Sequence, residues 1–245
     1  DSKIKKELLR QVYQIEKECC ENSRFIMTCS KEDQILLNQK YGVPFSKMAV
    51  IPNGVDCEQI PYTSIEERLE NKKRRHLEHE TIGVFMGSWH QPNLEACEEI
   101  IRIALKCPDV KFLLMGSQCG YFRNQKLPDN VGLLGVVDEK VKADVFQTAD
   151  FALNPMASGS GTNLKMFEYM ASGVPIITTK FGTRGMEEKE SFLIAEIKDM
   201  PEMIHGFELT QMDEKCQKGR EYVRREFDWK NISMLLRKEI EKNGL

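Results

Sequence analysis

Lys165 and Glu168 stand three residues apart, just after a loop of small residues, Met156 to Thr162, that contains Gly159 and Gly161. Small residues let a ligand approach the backbone closely. At the start of a helix the unpaired N–H groups point outward at the positive end of the dipole, a setting that favours phosphate or diphosphate. Ser160 and Gly161 belong to that loop, Thr162 and Asn163 add side-chain donors, and Lys165 adds a fixed positive charge. Glu168 falls on the loop side of the same helix, six residues after Thr162. Its carboxylate would repel phosphate but would accept two hydrogen bonds from a ribose diol. Together these residue types point to a nucleotide carrying a sugar. The plainer alternative is a tight βα turn followed by a surface Lys–Glu pair.

The flanking residues supply the elements that such a site needs. Ala149–Asn154 (ADFALN) is an apolar run fit for a buried strand. From Leu164 the spacing is helical, with Leu164, Phe167, Met170 and Ala171 on the apolar face. Gly173 ends that helix and Val174–Thr179 reads as a second buried strand. Strand, loop, helix and strand make a parallel βαβ crossover. Further strands are expected over 81–86, 111–115 and 130–134, with helices over 94–106, 140–147 and 201–225. About five strand–helix units make an α/β protein with a doubly wound parallel sheet.

Ligands bind such sheets at the carboxyl ends of the strands. Gly87, Gly116, Val137, the 156–163 loop and Gly182 all follow predicted strands, so five loops converge on one edge. Gly87 and Ser88 would admit phosphates at the first βα turn. His90 is either a surface loop residue or a contact to the phosphate or sugar of the ligand. Arg184 either reaches a phosphate or lies on the surface.

The stretch GSGTNLKMFEYMASGVPII resembles the donor-binding segment of GT-B glycosyltransferases, of the large retaining group called family 4. Glu168, Met170, Ala171, Gly173 and Pro175 match its E-x-M-A-x-G-x-P pattern. GSWHQPN after the strand at 81–86, and IPNGVD at 51–56, resemble other signatures of the same group. The resemblance implies that Glu168 binds the ribose of a nucleotide-sugar, that the loop holds its diphosphate, and that Val137 lies by the base. The reaction implied is sugar transfer with retention, in which Lys165, Glu168 and His90 are the catalytic candidates. Many members carry a second Glu where this chain has Ser160. A subgroup with a G-x-G-T-x-L-K loop also lacks that Glu. The donor would be a substrate, with UDP- or GDP-sugars placed first, and no separate cofactor is expected. Neither the acceptor (glycan, lipid or small molecule) nor the oligomeric state is legible.

By the same resemblance, residues 1–56 read as the end of an N-terminal acceptor-side domain with the crossover from it. Residues 57–80 read as a charged linker, 81–226 as the donor domain, and 227–245 as a C-terminal helix packing back on the N-terminal segment. The acceptor domain of the family normally has roughly another 120–160 residues ahead of this point. In the linker, Lys72-Lys73-Arg74-Arg75 could meet a membrane surface or a phosphate-rich acceptor. A solvated helix or linker is the preferred reading, because acidic residues flank the run on both sides.

Composition removes other classes. A formal net charge of −3 gives no drive toward nucleic acid. No apolar run is long enough to span a membrane, and DSKIKKELLRQ has no apolar core of a signal peptide. None of the eight cysteines forms C-x-x-C or pairs with histidine at ligand spacing, so free thiols in a reducing cytoplasm are expected, mostly buried, and no metal site. There is no D-x-D pair, so a metal-bridged diphosphate is not expected. The first turn lacks G-x-G-x-x-G and the 156–163 loop lacks G-x-x-x-x-G-K-[ST], which argues against dinucleotide oxidoreductases and P-loop enzymes. A non-catalytic nucleotide-binding module or subunit stays open beside the transferase.

Overall fold

The computed structural model describes residues 2–159 and 161–244, in two compact units. The smaller holds residues 1–53 and 230–245; the larger holds 54–229.

In the smaller unit, α1 (Ser2–Asn22), β1 (Ile26–Thr28), α2 (Lys31–Tyr41) and β2 (Met48–Val50) follow one another. β1 and β2 pair in parallel, Ile26 opposite Met48. Ser30 caps α2 by accepting the Asp33 N–H, and left-handed Gly42 closes it. The Lys47 ammonium donates to the carbonyls of Cys20 and Glu21, at the negative end of α1. Along α1, Ile4, Leu8, Leu9 and Ile15 are exposed.

In the larger unit α3 (Ile65–Arg74) precedes β3 (Thr81–Met86), α4 (Gln91–Ala104), β4 (Val110–Met115), α5 (Cys119–Phe122), β5 (Val131–Gly135) and α6 (Glu139–Phe146). Then come β6 (Phe151–Asn154), α7 (Leu164–Ser172), β7 (Ile176–Thr178), β8 (Phe192–Ile194), α8 (Met200–His205) and α9 (Asp213–Glu226). Trp229–Lys242 is α10, which runs into the smaller unit. The strands form one parallel sheet in the order β5-β4-β3-β6-β7-β8. Counted from β3 this is the doubly wound arrangement, with its switch point between β3 and β6.

Side chains alternate across the sheet because a strand repeats every second residue. Ile82, Val84 and Ala152 pack with Phe146, Met166, Phe167, Met170 and Val223 on the face covered by α6, α7 and α9. Phe85, Phe151 and Leu153 pack with Leu94, Cys97, Ile100 and Ile204 on the face covered by α4 and α8. Burial on both faces is why these strands read as unbroken apolar runs.

Three expectations are corrected here. The sheet has a sixth strand, β8, a three-residue edge too short to show as a pattern. The helix expected over 201–225 is two helices, α8 ending at Gly206 and α9 starting at Asp213. The charged segment 57–80 is no solvated linker. Ser64 and Glu67 form a capping box that starts α3, and one face of that helix is buried at Ile65, Arg68 and Lys72. Arg68 is fully buried and donates to the carbonyls of Phe146, the last residue of α6, and of Ala149 and Gly173, just past the ends of α6 and α7. Burial lowers its pKa to about 10. The Lys72 ammonium meets both Asp150 oxygens at 2.6 Å. Neighbouring Lys73, Arg74 and Arg75 are exposed, so the run is divided by helical phase.

Candidate functional site

The site begins where β3 and β6 part. Met86 ends β3 and donates its N–H to the Tyr169 hydroxyl (2.7 Å), and the Gly87 N–H goes to the Met115 carbonyl (2.9 Å). A buried tyrosine from α7 and the neighbouring strand therefore fix the first βα turn. On the other side of the switch point, the 155–163 loop is tied down at several places. The Ser158 hydroxyl meets Glu95 at 2.6 Å, Arg184 Nε donates to the Gly161 carbonyl at 2.9 Å, and Thr179 donates to the Met156 carbonyl. Asn163 is the N-cap of α7 but makes no side-chain cap bond, so the helix opens on its own amides.

Between these segments lies a cleft of about 290 Å³. Gly87, Ser88, His90, Thr162, Asn163, Lys165, Glu168 and Arg184, all sequence candidates, line it. Ser160 lies outside the described residues. Gly161 is placed beside the cleft by its bond from Arg184. Gly116, Val137 and Gly182 do not line it, so three loops meet at the cleft and not five. Val137 is half-buried against the core. Gly116 acts one step back. Its φ of 119° suits glycine, and a Cβ there would overlap the Gly87 carbonyl oxygen. Gly116→Ala is therefore expected to cost about 2–4 kcal/mol and to displace the first βα turn. Denaturant unfolding checks the first effect and loss of nucleotide binding the second.

Lys165 is buried, against the expectation of a fixed charge. Its ammonium donates to Asn93 Oδ1 (2.7 Å) and sits 4.5 Å from the centre of the Phe85 ring. Burial lowers its pKa from 10.5 to about 7, and Arg184 adds to the effect. Arg184 lies over the Phe181 ring, and burial lowers its pKa too. Two cations thus share one cleft, which is a site for an anion. Glu168 lies on the same face of α7 and its side chain is one-quarter exposed. Leu164, expected in the core, is exposed at the cleft rim. His90 is the N-cap of α4; its carbonyl accepts from Asn93 and Leu94, and its side chain is exposed at the rim.

Two polar partners escaped the sequence reading. Asn93 was visible only as part of the GSWHQPN signature. Lys142 of α6 donates to Glu168 Oε2 at 2.7 Å and to Glu139 at 2.8 Å. Burial works against its charge, but the hydrogen bonds it donates to Glu139 and Glu168 outweigh it and raise its pKa. Nothing in one sequence marks a lysine on one helix as the partner of a glutamate on another. Among the described residues no three His, Cys, Asp or Glu side chains come together to hold a metal ion, and no helix is long and apolar enough to cross a membrane.

Solved structures of GT-B glycosyltransferases superpose on the chain. Sucrose-phosphate synthase from Thermosynechococcus elongatus matches with a TM-score of 0.76 at 18% identity, over 95% of this chain and 61% of its own. HepE from Anabaena, in complex with UDP and glucose, matches with 0.75 at 15% identity, over 94% and 66%. Residues 80–207 match the family described as glycosyl transferases group 1, and the chain belongs to that family. The phosphatidyl-myo-inositol mannosyltransferase of Mycobacterium tuberculosis is 27% identical over 138 residues, 53% of this chain. That match spans about a third of the mannosyltransferase, and the structural matches span under two thirds of their partners.

Proposed function

We propose that this chain binds a nucleotide-diphosphate sugar and forms the donor half of a retaining, metal-independent glycosyltransferase. The observation that carries the reading is the joint placement of Lys165, Arg184 and Glu168 in one cleft at the switch point of the sheet. Lys165, Arg184 and the amides at the start of α7 meet the diphosphate. Glu168 takes the ribose diol, and Lys142 holds that carboxylate from behind. In transfer, the bond from the sugar C1 to the diphosphate oxygen breaks. The acceptor hydroxyl oxygen bonds to C1 on the same face, and its proton passes to the departing phosphate. The charge that grows on the leaving group is met by cations already in place. HepE, solved with UDP and with UDP-glucose, is the reason to try UDP first, ahead of GDP and ADP. The cysteines are free thiols, which supports the cytoplasm as the compartment.

The test is calorimetric titration with UDP, GDP and ADP. One diphosphate should bind. Glu168→Ala should weaken it by about 10–100-fold, the range for hydrogen bonds to a charged group, and should not weaken pyrophosphate binding. Absence of binding by all three would sink the reading. Donor binding without transfer to any acceptor would instead favour a nucleotide-binding subunit, a reading kept open by the partial span of the relatives.

A further inference from the structure

We propose that Asn93 is the positioning residue of the diphosphate subsite: its amide holds the Lys165 ammonium on a neutral acceptor, so the charge stays uncompensated until an anion arrives. The inference rests on the donor-site reading above. Asn93 is buried in the first turn of α4, and its amide is committed at both ends. Nδ2 donates to the Ser88 carbonyl at 3.0 Å and lies 3.4 Å from the Ser88 hydroxyl. That leaves Oδ1 for Lys165, which can only donate. One side chain thus locks the first βα turn to the first turn of α7, the two segments that face each other across the cleft.

The choice of an amide is informative. The other buried lysine, Lys72, is matched with a carboxylate, Asp150, and half-buried Lys142 at the back of the cleft is matched with Glu168. Lys165 has no ion-pair partner among the described residues; its further neighbours are the Met156 sulfur at 3.8 Å and the Phe85 ring. The charged and titratable groups facing it are Cys97 of α4, Arg184 from the turn after β7, and His90 and Glu168 at the cleft wall. A carboxylate in place of Asn93 would have the same shape but would give up the bond to the Ser88 carbonyl. It would pair with the lysine, secure its proton and repel the incoming diphosphate.

Asn93→Asp tests this because a merely structural role predicts no such pattern. In the wild type the folded chain binds one proton fewer than the unfolded chain from about pH 7 upward, so the unfolding constant should fall by up to about tenfold per pH unit between pH 7 and 9. In Asn93→Asp that slope should vanish and UDP affinity should drop at least about tenfold. Asn93→Leu adds no charge; it should keep the slope and still weaken UDP about tenfold or more by releasing Lys165. Asn93→Asp with wild-type slope and wild-type UDP affinity overturns the proposal, as does undiminished UDP binding by Asn93→Leu. A wild type that binds no nucleoside diphosphate counts against the donor-site reading. The slope alone then decides on Asn93: its loss in Asn93→Asp supports the role, and its persistence overturns it.

Discussion

Lys165→Met is expected to lose nucleoside diphosphate binding by at least about 100-fold while making the empty protein more stable. The two effects have one cause. A charge-assisted hydrogen bond to a diphosphate contributes about 1.5–3 kcal/mol in a partly desolvated cleft, and the Coulomb attraction of a buried cation adds to it. Before the ligand arrives, the same cation is buried against Phe85 and Met156 with only an amide oxygen for company. Depression of its pKa from 10.5 to about 7 corresponds to a penalty on the order of 4–5 kcal/mol for keeping the proton. Methionine fills the same space without that penalty, so a gain of about 1–3 kcal/mol at pH 7 is the expected outcome. The sign follows from linkage. Between about pH 7 and 10.5 the unfolded chain holds the proton and the folded chain does not, so wild-type stability climbs with pH and is lost as pH falls toward 7. Lys165→Met should show no such rise. UDP affinity of the wild type should weaken above pH 7, because binding then requires uptake of a proton. Denaturant midpoints and calorimetry from pH 6.5 to 9 read all of these. A variant that is less stable than wild type at pH 7, or that still binds UDP, contradicts the account.

The same lysine shows where sequence reading succeeds and where it stops. Lys165 and Glu168 were legible because their spacing from a glycine loop is local. β3, β4 and β6 were legible because burial on both faces leaves unbroken apolar runs. β8 was not, since three residues at a sheet edge carry no period. Lys165 read as a fixed charge because burial depends on Phe85, Asn93 and Met156, which reach it from three other segments. Gly116 read as a ligand contact because it follows a strand, as the cleft glycines do. Only the structure shows that it makes room for the Gly87 carbonyl and that Gly87, not Gly116, lines the cleft. Lys142 and Asn93 belong to this second kind: a partner across the fold leaves no mark on the local pattern.

Lys72→Met is the change with the largest expected loss of stability, about 3–5 kcal/mol. The run Lys72–Arg75 looks uniform in sequence, but α3 turns Lys72 inward, where its ammonium meets Asp150 and donates to the Glu80 carbonyl at 2.6 Å. Asp150 also accepts the Ile82 N–H at 2.7 Å. One carboxylate therefore joins α3 to the starts of β3 and β6, the two strands that flank the switch point. Removing the lysine leaves that carboxylate buried with a single backbone donor. Replacing both partners, Lys72→Met with Asp150→Asn, keeps an acceptor for Ile82 and removes both charges, so about half or more of the loss should return. Lys73→Met, one residue along and exposed, should change stability by no more than about 0.5 kcal/mol. Urea unfolding of the three variants with the wild type separates the cases. If Lys72→Met behaves like Lys73→Met, the run is a solvated face after all and α3 is not anchored by its charges. If the double variant is no more stable than Lys72→Met alone, the cost lies in lost packing and not in an unpaired carboxylate. The expected result places the support of the cleft well behind it. Lys72 and Asp150 set where β3 and β6 begin, while the cleft opens at the far ends of the same two strands.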